Sequence, residues 1–261
     1  MLSAYIKMHK EDKPIWPLIN NTHTPLYKVA KFLNKKLQGL ISLPNTYTIR
    51  NSHEIVQELN NIQINENSRI ITLDKKDLYV NLSIKNILCI TEFWFNKCNQ
   101  DHITIEQTMH LLEVILKENY FQYSNQFYQP DKGTVMGSLI SSALAEIYLQ
   151  YLEEMYLKHC LENKEITYCK RYVDVILIIF DQNKTCEDTI HNIMNNNDEH
   201  LEFKTSRDDN KTIYCLDLSS NRNTNNVDLN IYRKPAYINT IHFTANHPYD
   251  NWQPSTTTSI E

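Results

Sequence analysis

The sequence predicts an α+β protein in which an antiparallel sheet is backed by helices. Three observations support this prediction: residues 69–73 have the branched composition of a strand, residues 168–180 form two apolar runs around one carboxylate, and residues 138–157 keep helical spacing. The strands do not alternate regularly with helices, which argues against the βαβ units of a parallel sheet.

The other elements follow from the same patterns. Residues 1–25 are expected to be irregular, because three prolines forbid a long helix there. Ser52 is expected to cap a helix over 52–62, and Ser138 or Ser141 to cap the long helix. Further helices are expected over 25–40, 84–96, 103–118 and 186–200, a hairpin over 121–128, strands near 201–205, 212–218 and 227–233, and a disordered tail from residue 247.

Composition and targeting signals indicate an intracellular protein of the nucleus or cytoplasm that has no membrane partner. The first ten residues lack the apolar segment of a signal peptide, and the longest apolar run, 175–180, is too short to cross a bilayer. No two of the six cysteines have C-x-x-C spacing, which disfavours zinc and dithiol chemistry and fits a reducing compartment.

Charge is distributed unevenly along the chain. The net charge is −5, yet residues 1–50 hold eight basic and two acidic residues, a net charge of +6 that leaves −11 for the rest. Such asymmetry is typical of a basic arm or face that contacts phosphates. A solvated helix face explains the same charges equally well.

Three separated segments could carry chemistry. Asp74 ends the first predicted strand, two of only three glycines stand at 133 and 137 before the long helix, and Asp174 lies at the predicted bend of a hairpin whose apolar flanks would bury it. Taken singly, each has a structural explanation: a capping Asp, a turn before a helix, or an Asp in an exposed turn. Buried carboxylates, however, need a cation or a partner.

In this order the three segments resemble motifs A, B and C of reverse transcriptases, most closely those of Penelope-like retroelements. The resemblance extends from about residue 5 to 248 and is carried by several ordered motifs. They are Lys7–Lys10, Trp16–Ile19, Pro25–Leu33, Leu73–Asn81, Gly133–Leu144, Lys170–Val175, Cys215–Asp217, Tyr232–Pro235 and His247–Pro248.

The resemblance implies the fingers and palm of a right-hand polymerase that extends a DNA primer with dNTPs on an RNA template. It implies fingers over 1–70, a palm over 71–245 with a helical fingers insertion at about 91–128, and a tail over 246–261. Asp74 and Asp174 would hold two Mg²⁺ ions. Tyr79, Gly137 and Ser138 would contact the nucleotide, and the nucleic acid would be bound by Lys7, Lys10, Lys28, Lys31, Arg233 and Lys234.

Some positions depart from the family pattern. Val175 stands where the family has a second Asp, and Trp16 replaces an Arg that contacts phosphate. The thumb is expected to be missing or vestigial. The sequence therefore favours an impaired, degenerate reverse transcriptase, with a catalytically inactive nucleic-acid-binding module as the alternative. An unrelated α+β protein with chance motif matches is a third reading.

Overall fold

A computed structural model describes most of the chain. The described residues are 2–6, 15–19, 24, 26–118, 120–123, 125–130, 132–134, 137–196, 201–207, 212–223 and 226–232. The expected tail from residue 247 lies outside these ranges.

The described residues form helices and short strands. The helices are α1 (Tyr27–Leu40), α2 (Ser52–Leu59), α3 (Leu78–Asn81), α4 (Ile84–Lys97), α5 (His102–Lys117), α6 (Ser141–Leu152), α7 (Lys158–Glu162) and α8 (Glu187–Asn196). The strands are β1 (Leu2–Ile6), β2 (Ile15–Ile19), β3 (Ser68–Lys75), β4 (Phe121–Tyr123), β5 (Gln126–Tyr128), β6 (Ile166–Tyr172), β7 (Val175–Asp181), β8 (Phe203–Arg207), β9 (Thr212–Cys215), β10 (Leu218–Arg222) and β11 (Val227–Ile231).

A four-stranded antiparallel sheet with the order β6–β7–β3–β8 lies at the centre of the molecule. This confirms the predicted antiparallel sheet and the hairpin around Asp174. Side chains alternate between its two faces, so Ile71 and Ile178 enter one core cluster while Ile70 and Ile179 enter another. Helices α1, α4, α5, α6 and α8 cover the first face. Helix α2 and a second sheet of β9, β10 and β11 cover the other.

None of the helices in the described ranges is long and apolar enough to span a lipid bilayer. All six cysteines are free.

The expectation of irregular structure over residues 1–25 is wrong in part. Strands β1 and β2 pair as an antiparallel hairpin, and Pro17 lies opposite Ala4 within it. Proline excludes a helix interior but is tolerated in a strand whose N–H side faces no partner, as in a two-stranded ribbon. The prolines therefore ruled out the helix without ruling out the hairpin.

Three predicted boundaries also need correction. Asn51, not Ser52, caps α2, because its side chain accepts a hydrogen bond from the N–H of Glu54. Neither Ser138 nor Ser141 caps α6, which follows Ile140 without a side-chain cap. The single strand expected over 212–218 is two strands, because Leu216 adopts a left-handed φ of 56° and turns the chain into β10.

A buried ion cluster joins the sheet to the helices. Arg171 on β6 is 1% exposed, and its Nε donates to the Glu153 carboxylate, which is equally buried. Its Nη atoms donate to the two Glu146 carboxylate oxygens at 3.1 and 2.7 Å and to Thr48 Oγ1 at 3.1 Å. Helix α6 changes to a π-helical turn at Glu153 (Glu153–Leu157) before α7 begins. The guanidinium of Arg171 therefore links its own strand, β6, to helix α6, the π-helical turn and the 45–49 segment.

The two carboxylates of the cluster differ in their protonation. Burial raises the pKa of Glu153 to about 7, although Arg171 opposes the shift. Burial also opposes ionisation of Glu146, but hydrogen bonds from Arg171 outweigh it, so the pKa of Glu146 is lowered. Glu146 is therefore the anion that balances Arg171 at neutral pH. The pKa of Glu153 lies close to neutral pH, so this carboxyl is only partly ionised there.

The pKa of Glu153 makes stability depend on pH. Because its folded-state pKa lies above the ordinary value of 4.5, the stability it contributes is present below about pH 4.5 and lost as pH rises through about 7. Glu153→Gln cannot ionise, so it should not lose this stability. Its free energy of unfolding, relative to that of the unaltered chain, should rise by about 2–3 kcal/mol from pH 5 to pH 8. Urea denaturation followed by tryptophan fluorescence measures this difference.

Two further variants test the cause. Arg171→Met should cost about 3–5 kcal/mol at pH 8, because it strands buried carboxylates, and less at pH 5. Glu162→Gln, which alters an exposed carboxylate on α7, should show no such change with pH. If Glu153→Gln and Glu162→Gln changed the pH dependence of the unfolding free energy equally, the raised pKa of Glu153 would be contradicted.

Candidate active site

Asp74 and Asp174 lie beside each other at one end of the central sheet. The β3–β7 register pairs Asp74 with Val175, the residue after Asp174. The N–H of Lys75 donates to the carbonyl oxygen of Asp174 at 2.9 Å. Two acidic residues that are distant in the sequence thus meet at the same end of the two inner strands of the sheet.

Both acids are accessible, and Asp174 is more so than the sequence predicts. Asp74 is exposed and Asp174 is half-buried, whereas apolar flanks were expected to bury Asp174. The flanking side chains of β7 turn into the two cores, and the turn itself projects beyond them, with Val173 43% exposed. Asp174 therefore needs no buried counter-ion, and solvent or a ligand can approach the pair.

The turn that carries Asp174 is strained and anchored. Val173 has a φ of 53°, a left-handed conformation that is unfavourable for a β-branched residue. Its carbonyl oxygen accepts a hydrogen bond from Arg171 Nη1 at 3.1 Å. The ion cluster thus reaches the turn directly and holds its backbone next to Asp74.

The acid pair fits a magnesium ion only in part. Mg²⁺ is bound by one or two carboxylates together with water and substrate phosphates, which Asp74 and Asp174 could satisfy for one ion. Val175 has no oxygen donor and packs against the second core cluster. Across the residues that the structure describes, no group of three or more His, Cys, Asp or Glu side chains could hold a metal.

The glycine segment is locked to the helix that follows Asp74. The N–H and Oγ1 of Thr134 donate to the Tyr79 carbonyl oxygen at 2.7 and 3.2 Å. Gly133 has a φ of 76°, and a Cβ there would lie 2.0 Å from the Val80 carbonyl oxygen. Gly133 therefore permits a close backbone approach that any other residue would block.

Tyr79 takes part in this contact, and the other nucleotide-site candidates, Gly137 and Ser138, follow Thr134 in the chain. Tyr79 is half-buried and packs against the main core from α3. Gly137 is exposed with a φ of 99°, and the half-buried Ser138 accepts a backbone hydrogen bond from Ser141 at 3.3 Å. Their contacts with a nucleotide stay predictions.

Of the residues expected to bind nucleic acid, Lys28 and Lys31 are exposed on α1. The remaining four, Lys7, Lys10, Arg233 and Lys234, lie outside the described residues. A cleft of about 630 Å³ opens elsewhere, between the end of α1, residues 41–44 and α4, and Asp74 and Asp174 do not line it.

Sequence reasoning missed the residues that position the site. Arg171, Glu146 and Glu153 received no role, and only Arg171 carried a signal in the sequence. Arg171 shares the inward parity of Cys169 on β6, whereas both glutamates, at about 100° per residue, lie on the side of the predicted long helix opposite its apolar stripe. A charged residue at an inward position signals a buried partner.

Comparison with known proteins agrees with this architecture. The family model described as reverse transcriptase (RNA-dependent DNA polymerase) matches residues 9–219. No curated protein sequence matches the chain.

Solved structures of similar fold include two telomerases and an RNA-dependent RNA polymerase. Telomerase from Candida tropicalis, truncated from the C-terminal domain, superposes with a TM-score of 0.58 at 15% identity, covering 81% of this chain and 46% of that one. Telomerase from Candida albicans with the TWJ fragment of telomeric RNA gives 0.58 at 17% identity, covering 79% and 39%. The BmCPV RNA-dependent RNA polymerase at the quiescent state gives 0.52 at 13% identity, covering 84% and 21%.

At such low identities these structures establish the fold, and the chain spans less than half of each of them. The antiparallel sheet, its covering helices and the similar structures define a protein with the fingers and palm fold of nucleic-acid polymerases. Since the family model matches most of its length, the chain belongs to the reverse transcriptase (RNA-dependent DNA polymerase) family.

The close approach at Gly133 yields a stability prediction. Gly133→Ala should lower the free energy of unfolding by about 3 kcal/mol, because left-handed strain and overpacking each cost about 1–3 kcal/mol. Gly39→Ala is the matched control, since nothing lies within 4 Å of its added methyl group in α1. That control should gain roughly 0.5–1 kcal/mol from helix propensity. Equal effects of the two substitutions in urea titrations would refute the close packing of Gly133.

Proposed function

We propose that this chain is the fingers and palm of a reverse transcriptase, similar to those of Penelope-like retroelements, that extends a DNA primer with dNTPs on an RNA template. The observation that carries the proposal is the β3–β7 register, in which Asp74 pairs with the residue next to Asp174. Membership of the reverse transcriptase family supports it. In this proposal residues 1–70 are fingers and 71–245 palm, with the fingers insertion at about 91–128.

The acid pair is proposed as the metal site. Asp74 and Asp174 would hold Mg²⁺ through their carboxylate oxygens, and their exposure allows triphosphate to reach it. An ion held by these two carboxylates would supply Lewis-acid activation of the attacking hydroxyl and charge neutralisation at the departing phosphates. Arg171 keeps the Asp174 turn in place through its bond to the Val173 carbonyl oxygen.

The neighbouring residues would select and orient the substrates. Tyr79 would wall the sugar pocket and disfavour a ribose 2′-hydroxyl, and Gly137 and Ser138 would support the nucleotide. The phosphates of template and primer would be contacted by Lys7, Lys10, Lys28, Lys31, Arg233 and Lys234.

Val175 is proposed to impair the chemistry. At this position a carboxylate would supply a further metal ligand and more negative charge, and valine supplies neither. Loss of such an interaction reduces the rate by about 100-fold or more. The chain is therefore expected to extend a primer at a trace rate.

Restoring the carboxylate tests the site. Val175→Asp should raise Mg²⁺-dependent extension of a labelled DNA primer on an RNA template by about 100-fold, because it adds a metal ligand opposite Asp74. Adding Asp74→Asn to that variant should return extension to the starting rate. Val173→Asp is the matched control, since it adds the same charge on the same turn without pairing with Asp74. Robust extension by the unaltered chain that survives Asp74→Asn would refute the assignment.

The second candidate function is a catalytically inactive module that binds nucleic acid. Val175 in place of a carboxylate is the observation that favours it. The two candidates differ for the unaltered chain: the impaired polymerase should extend a primer at a trace rate, and the inactive module should bind RNA without any extension.

Both candidates require electrostatic binding of RNA. The chain should bind a single-stranded RNA with an affinity that falls as salt rises, with a log–log slope of about −0.7 for each phosphate contacted. Fluorescence anisotropy between 50 and 200 mM salt, roughly the range over which such contacts weaken most visibly, measures the slope. An affinity that does not change over this range would contradict both candidates.

A further inference from the structure

The outer face of α1 has an unusual composition. Lys28, Lys31 and Lys35 are exposed, Lys36 is partly exposed, and Phe32 lies among them with 59% of its surface exposed. These five residues are called the lysine face. The opposite side of α1, with Ala30, Leu33 and Leu37, is buried in the main core.

The lysine face carries uncompensated positive charge. Helix α1 contains four lysines and no acidic residue. Among the ion pairs of the described residues, none involves these four lysines. An ordinary solvated face mixes both signs, and this chain has a net charge of −5. A face of one sign is suited to a polyanionic partner, and its charge alone does not distinguish that partner from solvent.

Phe32 is placed among the charges rather than at the edge of the core. At about 100° per residue it lies about 40° around the helix from Lys28 and about 60° from Lys35, on the side opposite Leu37. Core packing therefore does not explain it. A single exposed apolar residue needs no explanation by itself, but an aromatic ring inside a lysine face combines the two groups that bind a nucleic-acid strand, cations for phosphates and a ring for bases.

We propose that the lysine face binds single-stranded nucleic acid, with Phe32 stacked on an unpaired base and the lysines on the flanking phosphates. Lys28 and Lys35 are about 10 Å apart along the helix axis, on either side of Phe32. A ring on a helix surface can reach the face of a base only where the strand is unpaired, because duplex bases cover each other. The inference extends the proposed function by assigning strand contact to α1, and it does not require catalysis.

The same features disfavour a membrane surface as the partner. A helix that lies in a membrane interface needs a broad apolar face for the lipid. The apolar face of α1 is already used in the core, and Phe32 alone remains outside. The lysine face therefore suits a charged strand with separate stacking units better than a lipid layer.

The test separates stacking from charge. The full chain would be titrated, without dNTP or metal, into two labelled 12-residue strands of equal charge: oligouridylate and an abasic strand. Phe32→Ala should weaken binding of oligouridylate by about tenfold, the loss of roughly one stacked base, and leave abasic binding unchanged. Lys28→Ala with Lys35→Ala should weaken both and flatten the salt dependence. A DNA strand of the same length tells whether the sugar matters.

Matched variants complete the design. Phe32→Trp should keep or improve binding, because it retains a stacking ring. Ile103→Ala removes an apolar side chain that is 65% exposed on α5, and Lys158→Ala removes a lysine outside α1; neither should change binding. Urea midpoints of all variants verify that they fold.

Three results would overturn the inference: equal loss on both strands with Phe32→Ala, no loss on either, or Phe32-dependent binding to phosphatidylserine vesicles. The polymerase proposal is tested separately. If primer extension fails while Phe32-dependent binding persists, the catalytic proposal is lost and this inference stands.

Discussion

The buried contact between Arg171 and its two glutamates is the interaction on which the rest of the structure depends. It joins β6, α6, the π-helical turn and the 45–49 segment, and it extends to the backbone of the turn that carries Asp174. A buried cation of this kind adds little net stability compared with apolar packing, but removing it strands two carboxylates. Its main effect is positional: it requires one arrangement of the hairpin relative to the helix, so the acid pair has a defined location.

Much of the fold was predictable from local patterns. The branched composition of β3, the two apolar runs of β6–β7 and the helical period of α6 identify the central sheet and its main covering helix, because a sheet covered on both faces requires continuous apolar strands. The hairpin β1–β2 was not predicted, because its prolines exclude a helix without indicating a strand. The turn at Leu216 escaped because no glycine or asparagine marks its left-handed residue. Sequence patterns predict an element only where its residue types are restricted. Neither the β1–β2 hairpin nor the turn at Leu216 shows such a restriction in its residues.

The candidate site was predictable only through the order of its motifs. No local feature brings Asp74 to Asp174; the strand register does, and the register depends on long-range packing. The same limit explains why the exposure of Asp174 was misjudged and why the buried contacts of Glu146 and Glu153 with Arg171 were missed. The two glycines looked equivalent in sequence, yet Gly133 alone is buried against the backbone of Val80 while Gly137 is exposed. Such distinctions arise from tertiary contacts.

Val175 stabilises the sheet in a way that a carboxylate at the same position would not. Its side chain packs against the cluster formed by α2 and the second sheet, so it contributes apolar contact at the mouth of the hairpin. A carboxylate there would have to leave that contact and crowd two like charges, and the folded chain would bear the resulting repulsion whenever no cation is bound. Valine at this position therefore favours a sheet that is stable without a bound metal. Substitutions at enzyme sites that increase stability commonly reduce activity.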